Sequence, residues 1–389
     1  MKLPFRLPGL RAAAYPSPPD TKAAVPLALI AGEGQARWTV GSYAALSREG
    51  FMGNPVVHRC VRLIAEAGAA IPWLLYQDGT ERETHGALSL MRQPNGRVSG
   101  PDFFEALTGH LLLSGNAYVE PVMLGSRVAE LHLLRPDRVS VVEGRDGWPV
   151  GYDYRVSGAA RRIAADGDAA LLHLKLFHPL DDHSGLPPLA AARMALDLNN
   201  AATRWNKALL DNSARPSGAL VYQPKEGGNL TVDQYERLKA ELDDGYSGPM
   251  RAGRPLLLEG GLDWKAMGLS PRDMDFMEAK NGAARDVALA FGVPPMLLGI
   301  PGDNTYANYQ EANRAFFRLT VLPLLNRTAS AFSGFLSRLY DEELRLEPDL
   351  DQAPGLSLER DALWTRLGQA DFLSDEEKRE AVGYGGEDS

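Results

Sequence analysis

The residues best suited to chemistry lie close together in one stretch, HLKLFHPLDDH, at positions 173–183. Its imidazole and carboxylate groups belong to His173, His178, Asp181, Asp182 and His183. Such groups bind zinc or hold the paired metal ions of hydrolases. The same residues also suit a strand end, a polar loop and a helix entry capped by Asp182 or Ser184. A metal-dependent hydrolase that uses His173, Asp182 and His183 is therefore one candidate function.

Other enzyme motifs are missing from the sequence. It contains no G-x-x-x-x-G-K-[ST] loop, no G-x-G-x-x-G after a predicted strand, no H-E-x-x-H and no G-x-S-x-G. The one cysteine, Cys60, excludes a disulfide within the chain, and its helical surroundings predict a buried, inert thiol. Outside the histidine stretch, the residues predict a protein that is not an enzyme and needs no cofactor.

Composition and charge set further bounds. The 389 residues are 44% hydrophobic and 23% charged, which is enough for two or three domains. A net charge of −9 argues against tight DNA binding, which needs a basic face, but allows a protein that stays near DNA without gripping it. No apolar run is long enough to predict a membrane span, and the start is unlike a secretory signal, so a reducing cytoplasm is expected.

The N-terminal half predicts an α+β body that follows a flexible arm. Residues 1–40 are proline-rich and aperiodic, which is typical of a mobile segment. A helix is expected over 54–71, because Asn54 suits the cap, Pro55 the first turn and Pro72 the end. Further helices are predicted at 85–92 and at 101–114, the latter ended by Gly115. From residue 116 the period changes to strands, which predicts a mostly antiparallel sheet region and a body over 41–183.

Two long helices, at 184–213 and 271–292, bracket a compact α/β module at 214–270. In the first helix, Met194, Leu198, Ala201, Trp205 and Ala208 recur at steps of four, three, four and three residues. This spacing predicts packing against other helices. Met277 and Val287 belong to the apolar pattern of the second helix.

A proline-rich stretch, FGVPP, ends the second helix and begins a loop at 293–308. A long helix follows within 309–347, with Tyr309, Ala312, Phe316 and Leu319 on one predicted seam. Pro323 is expected to kink this helix, because its ring meets the carbonyl of Leu319. Two short helices are predicted in the tail at 348–389, the second opened by a capping box formed by Ser374 and Glu377.

Several phrases, in one order and register over about residues 50–340, resemble the portal protein family of long-tailed bacteriophages, which also serves phage-derived gene transfer agents. They include NPVVHRCVRLIAEAGAAIPWLLY (54–76), LLLSGNAYVEPV (111–122), LHLLRPDRVSVV (131–142), DVALAFGVPPMLLG (286–299) and TYANYQEANRAFF (305–317). Each phrase alone is weak, whereas the ordered set is specific.

The resemblance implies an α+β portal-type subunit. The body at 41–183 would be the wing, the helices at 184–213 and 271–292 the stem, and the module at 214–270 the clip. The loop at 293–308 would be the tunnel loop. The kinked helix at 309–347 would return through the wing, and residues 348–389 would form a short helical crown.

The resemblance also implies a function without covalent chemistry. Portal proteins form rings, usually of twelve subunits, at one capsid vertex of a virion or phage-like particle assembled in the bacterial cytoplasm. The ring would be a channel for packaging and ejecting double-stranded DNA. It would contact the large terminase, the major capsid protein and a head–tail adaptor. Twelve helices side by side form a circle about 39 Å across their axes, which leaves room for a duplex. A head–tail adaptor ring without a DNA-lining loop is the other alternative.

Particular residues are assigned by the resemblance. The channel constriction would be formed by Leu298, Ile300, Asp303, Asn304, Thr305 and Tyr306. The stem would be packed by Met194, Leu198, Trp205, Met277 and Val287. Pro323 would provide the helix kink.

Overall fold

The computed structural model describes residues 38–167, 169–211, 218–222, 231–237, 240, 262–266, 276–301 and 306–382. Almost all of the predicted arm, most of the module at 214–270, and Asp303, Asn304 and Thr305 lie outside these residues. Within them the chain folds into helices and small antiparallel sheets, which confirms the predicted α+β class.

The helices and strands follow one another as listed. The helices are α1 Tyr43–Ala45, α2 Pro55–Ala69, α3 Gly86–Arg92, α4 Gly100–Ser114, α5 Pro188–Ala191, α6 Arg193–Asp211, α7 at 232–237, α8 Phe276–Phe291, α9 Tyr306–Phe316, α10 Leu322–Tyr340, α11 Ser357–Gly368 and α12 Asp375–Val382. The strands are β1 Trp73–Gln77, β2 Thr80–Glu81, β3 Asn116–Leu124, β4 Arg127–Leu134, β5 Val139–Glu143, β6 Pro149–Val156, β7 Ala159–Ala164, β8 Leu172–Lys175, β9 Gly218–Tyr222, β10 Leu262–Ala266 and β11 Leu344–Pro348. Four antiparallel sheets result among the described residues, with strand orders β11-β1-β2, β10-β9, β4-β3-β8 and β5-β6-β7.

Local chemistry explains where α2 begins. The Asn54 side chain accepts hydrogen bonds from the backbone N–H groups of Val56 at 3.0 Å and Val57 at 3.1 Å, and Pro55 occupies the first turn. This satisfies two of the N–H groups that a helix start leaves without partners. The cap predicted from the sequence is therefore confirmed.

The core has two main apolar clusters. One joins α2, α6, α8 and the segment after α9, and it includes Val61, Leu196, Val287 and Phe316. The other joins α4, β3, α10 and β11, and it includes Phe104, Val119, Phe332 and Leu346. The long C-terminal helix is thus shared by both clusters and completes the N-terminal body.

The chain returns to its first strand at the end of this helix. The strand β11 pairs antiparallel with β1, with Leu75 opposite Leu346. A single returning strand at 344–346 is predicted by the sequence, and the structure extends it to Pro348. The first sheet therefore contains residues from both ends of the described chain.

Gly115 marks the point where α4 turns into β3. It ends the helix with a left-handed φ of 78°, a conformation that glycine adopts without steric cost. Its carbonyl oxygen accepts a hydrogen bond from the Leu176 N–H at 2.8 Å, and the Gly185 backbone passes directly against it. The turn therefore positions both the sheet and the entry to α5.

The long helix contains a π-helical turn, Phe317–Val321, between α9 and α10. The Leu322 N–H donates to the Phe317 carbonyl, five residues back. Pro323 follows directly, in the first turn of α10, where the sequence predicts distortion. A π turn adds a residue and shifts the phase of the helix. The predicted single seam is therefore wrong: Phe316 is buried, whereas Leu319 and Tyr309 are exposed.

Candidate functional site

The histidine stretch does not assemble into a metal site. The His173 ring is buried, lies 2.9 Å from Asn116 Oδ1 through Nε2, and stacks on Tyr118. Asp181 Oδ1 accepts from the backbone N–H groups of His183 and Ser184 at 2.8 Å, which closes a local turn. Over the part of the chain that the structure describes, no group of three or more His, Cys, Asp or Glu residues could hold a metal ion.

The remaining members of the stretch have separate contacts. His178 accepts the Leu180 N–H through Nδ1 at 3.1 Å, and His183 Nε2 lies 3.6 Å from Glu143. The expected helix cap at Asp182 or Ser184 is wrong, because α5 begins at Pro188 after Pro187. The geometry does not favour the hydrolase interpretation.

Two buried histidines should make the stability of the protein fall in acid. Burial, with a further contribution from Lys175, lowers the pKa of His173 from 6.5 to about 4. Burial beside Arg135 does the same for the pKa of His110. The unfolded chain therefore binds these protons first as pH falls from 6.5 to 4. We expect each histidine to reduce the free energy of unfolding by up to about 1.4 kcal/mol per pH unit in that window.

Urea unfolding between pH 7 and 4.5 tests this expectation. His110→Gln and His173→Gln should each flatten the pH dependence relative to the wild type, whereas His58→Gln, at an exposed histidine, should not. An unchanged slope in both buried variants would contradict the assignment.

A buried polar cluster joins α6 to the cap of α2. Asn54 Nδ2 donates to the side-chain oxygens of Asn199 at 3.0 Å and Asn200 at 2.8 Å. Asn199 Nδ2 in turn donates to the Lys280 carbonyl on α8 at 3.0 Å, and Asn200 Nδ2 to the Glu49 carbonyl at 2.9 Å. All three asparagines are buried. Because each side chain bonds in two directions, the cluster fixes α6 against both α2 and α8.

We expect Asn54→Ala to cost about 3 kcal/mol of unfolding free energy. It removes a helix cap, worth about 1 kcal/mol, and leaves two buried side-chain oxygens without their donor. Urea denaturation would measure the loss. Ser99→Ala, at the exposed cap of α4, is the matched control and should cost only about 1 kcal/mol. Equal losses in the two variants would show that the cluster adds nothing beyond the cap.

The helices α6 and α8 run antiparallel. Asn199 contacts Lys280 near the start of α8, whereas Leu189, ahead of α6, shares a cluster with Phe291 at the end of α8. Of the five predicted stem residues, only Val287 is buried in this contact. Exposed fractions are 70% for Met194, 52% for Leu198, 43% for Trp205 and 63% for Met277. The apolar seam of α6 therefore points away from the core of its own subunit, and the packed face includes Asn199 and Asn200, which the sequence pattern did not identify.

The loop after α8 is partly packed against the core. Gly292 ends the helix with a φ of 66°, and its carbonyl accepts from the Thr320 hydroxyl at 2.6 Å. A 3-10 turn follows at Pro295–Leu298, and Leu298 is partly buried against the core. Ile300 is only 7% exposed. It is therefore a packing residue of the subunit rather than a side chain presented to solvent.

The end of this loop differs from the expected boundary. The helix α9 begins at Tyr306, three residues before the predicted start at 309. Arg285 on α8 donates to the Pro301 carbonyl at 2.5 Å, which holds the described half of the loop on the helix. The predicted constriction residues Asp303, Asn304 and Thr305 lie outside the described residues.

The C-terminal helices pack on the long helix near its π turn. Arg314 Nε donates to Glu359 on α11, and Arg318 lies 3.8 Å from the same carboxylate. Gly355 lies against the Phe317 ring so closely that a Cβ would overlap it. The predicted capping box of α12 is confirmed, since Ser374 and Glu377 exchange hydrogen bonds. Among the helices described here, none is long and apolar enough to cross a membrane.

Comparison with known proteins places the chain among phage proteins. Residues 55–383 match the family model described as phage portal protein. An uncharacterized protein of Rickettsia felis is 42% identical over 343 residues, covering 86% of this chain and 88% of its own. The portal protein of Enterobacteria phage HK97 is 25% identical over 349 residues, covering 86% and 80%.

Solved structures give the same result. A chain in the neck of an empty gene transfer agent particle, treated with six-fold symmetry, is 54% identical with a TM-score of 0.72, covering 91% of this chain and 96% of its own. A chain in the native neck, treated with twelve-fold symmetry, is 53% identical with a TM-score of 0.69, covering 91% and 97%. An HK97-family portal protein from Corynebacterium diphtheriae shares the fold, with 17% identity, a TM-score of 0.58 and coverage of 83% and 98%. The resemblance noted in the sequence is confirmed, and the chain belongs to the phage portal protein family.

Proposed function

We propose that the protein forms a closed ring at one vertex of a phage-like particle, and that this ring is the channel through which double-stranded DNA is packaged and ejected. The observation that carries the proposal is the 53% identity to a chain in a gene transfer agent neck with twelve-fold symmetry. We take the ring to have twelve subunits and the particle to be a gene transfer agent.

The subunit has properties that suit such a ring. Exposed apolar residues along α6 give neighbouring subunits a surface to bury. The net charge of −9 suits a conduit, because a basic lumen would hold the phosphates and slow the sliding of DNA. The protein acts in this proposal without catalysis, and a separate large terminase supplies the energy of packaging.

The partners occupy different parts of the ring. The terminase docks on the clip at 214–270, the major capsid protein surrounds the wing at 41–183, and a head–tail adaptor joins the ring to the tail. The loop at 293–308 narrows the channel, with Asp303, Asn304 and Thr305 nearest the DNA. A simple adaptor ring is less suitable, because adaptors have neither the long helix nor the clip.

Light scattering with electron microscopy of the same peak tests the ring. Twelve copies of the 42.3 kDa chain come to about 500 kDa, and images should show rings with an open centre. A protein that remains monomeric both alone and when coexpressed with the capsid protein of its particle would contradict the proposal.

We expect Asp303→Lys to leave ring assembly intact and to lower the fraction of DNA-filled particles by about tenfold. Twelve added lysines at the constriction would bind the phosphates of the passing duplex. The measurement is the nuclease-protected DNA per purified particle. Glu83→Lys, an exposed wing residue, is the control and should leave DNA content unchanged. If Asp303→Lys particles fill normally, this loop does not line the channel.

A further inference from the structure

The helix pair α6 and α8 has two outer faces that point in opposite directions. The two helices meet where Asn199 donates to the Lys280 carbonyl. At about 100° per residue, Met194 lies roughly 140° around α6 from Asn199, and Leu289 lies roughly 180° around α8 from Lys280. Each of these residues therefore lies on the side of its helix that faces away from the other helix.

Both outer faces are apolar and exposed. On α6 the face consists of Met194, Leu198, Ala201 and Trp205. On α8 it is centred on Leu289, which is 78% exposed, and it continues to Leu319 at 76%. Leu289 precedes Gly292 by one turn, and Leu319 precedes Thr320, so the two leucines flank the Thr320–Gly292 hydrogen bond. Isolated exposed leucines are common in proteins, but two apolar faces on one helix pair indicate contact surfaces.

The two faces also match in level and in charge. Because the helices are antiparallel, Met194 is level with Arg285, and Leu289 lies one turn, about 6 Å, beyond. Arg193 is level with Asp286 by the same count. Arg193 and Arg204 edge the outer face of α6, whereas Glu278 and Asp286 edge that of α8, and all four are exposed. A second copy of the chain would therefore meet complementary charges at matching positions.

Symmetry selects the occupant of these faces. A ring with more than two subunits needs two different surfaces on each subunit, because its contacts are heterologous. We propose that the outer face of α6 packs against the outer face of α8 in the next subunit, with Met194 beside Leu289 and Arg193 beside Asp286. This inference rests on the proposed ring and assigns the residues that join its subunits.

Cysteine cross-linking tests the pairing directly. The one native cysteine, Cys60, is fully buried, and burial raises the pKa of its thiol to about 12, so it should not react. Rings of the Met194→Cys/Leu289→Cys double variant, treated with a short bis-maleimide, should give a ladder of covalent products up to twelve chains. Rings that mix the two single variants should give covalent dimers, and rings of either single variant should give none.

The controls separate this pairing from the ring itself. Leu124→Cys/Leu289→Cys pairs Leu289 with an exposed leucine on β3 and should give no ladder. Intact rings of Met194→Cys/Leu289→Cys without covalent products would overturn the pairing but leave the ring standing. Dimers from Met194→Cys alone would show an isologous contact and would also overturn it. Absence of rings by light scattering would instead contradict the proposed function.

Charge exchange gives a second measurement. Arg193→Glu should lower the ring fraction at limiting protein concentration by about tenfold, because it places like charges together. Arg193→Glu/Asp286→Arg should restore it. If the double variant assembles no better than the single variant, the two side chains do not meet.

Discussion

Leu198→Glu is expected to leave a folded 42.3 kDa monomer where the wild type forms rings. Leu198 is 52% exposed in the single subunit, so a glutamate there buries no charge on folding. In the ring, the same carboxylate would enter an apolar contact between subunits, and an unpaired buried charge costs several kcal/mol. A loss of about 3 kcal/mol per contact corresponds to more than a hundredfold change in each association constant.

Light scattering and circular dichroism would separate assembly from folding in this variant. Leu124→Glu is the matched control, since Leu124 is also an exposed leucine but lies on β3. It should form rings like the wild type. Normal rings from Leu198→Glu would show that the α6 seam is not a subunit contact.

Gly115→Ala is expected to be the most damaging small substitution in the wing. Its φ of 78° costs a residue with a Cβ about 1 kcal/mol. The Cβ would also overlap the Gly185 backbone, so the two segments would have to separate. Separation would strain the bond from Leu176 N–H to the Gly115 carbonyl and that from Gly185 N–H to Asn116 Oδ1, both 2.8 Å. We expect a total loss of about 4 kcal/mol in the free energy of unfolding.

The control for this variant lies on the same helix. A Cβ added at Gly109, inside α4, would meet no neighbouring atom. Gly109→Ala should therefore stabilise the protein by about 0.5–1 kcal/mol, since alanine favours a helix more than glycine does. Urea midpoints of the two variants should move in opposite directions. A similar small shift for both would mean that the wing can accommodate a side chain at Gly115.

The features predicted well from the sequence depend on neighbouring residues only. Asn54, Pro55 and Gly115 carry cap signals that act within one helical turn, so the bounds of α2 and α4 are close to those predicted. The capping box of α12 is a similar case. The family was identifiable because many short phrases occur in one order, although each phrase alone is weak.

The features that were missed depend on contacts between distant residues. Asn199 and Asn200 look like surface residues of a helix, and only the approach of Asn54, 145 residues earlier, makes them a buried cluster. The α6 spacing correctly indicates an apolar face, but periodicity cannot tell whether the partner is the same chain or another copy. The π turn before Pro323 changes the phase of the helix, so Leu319 was assigned to the wrong side.

The candidate site shows the same limit. The loop after α8 was located from its prolines and glycines, yet the burial of Ile300 follows from the core that lies beneath it. The histidine stretch suggested metal chemistry because its residues are close in sequence. The structure uses them singly, since His173 is buried on a strand and Asp181 closes a turn.

The pairing of β1 with β11 has a consequence for synthesis on the ribosome. Trp73 waits for Pro348, its partner about 270 residues later in the chain, and at 5–20 residues per second that delay is roughly 14–55 s. During this time the first sheet has an open edge, and its body cannot close. A nascent subunit therefore finishes its wing only after both stem helices and the clip have been translated. Incomplete chains are thereby kept from joining a growing ring.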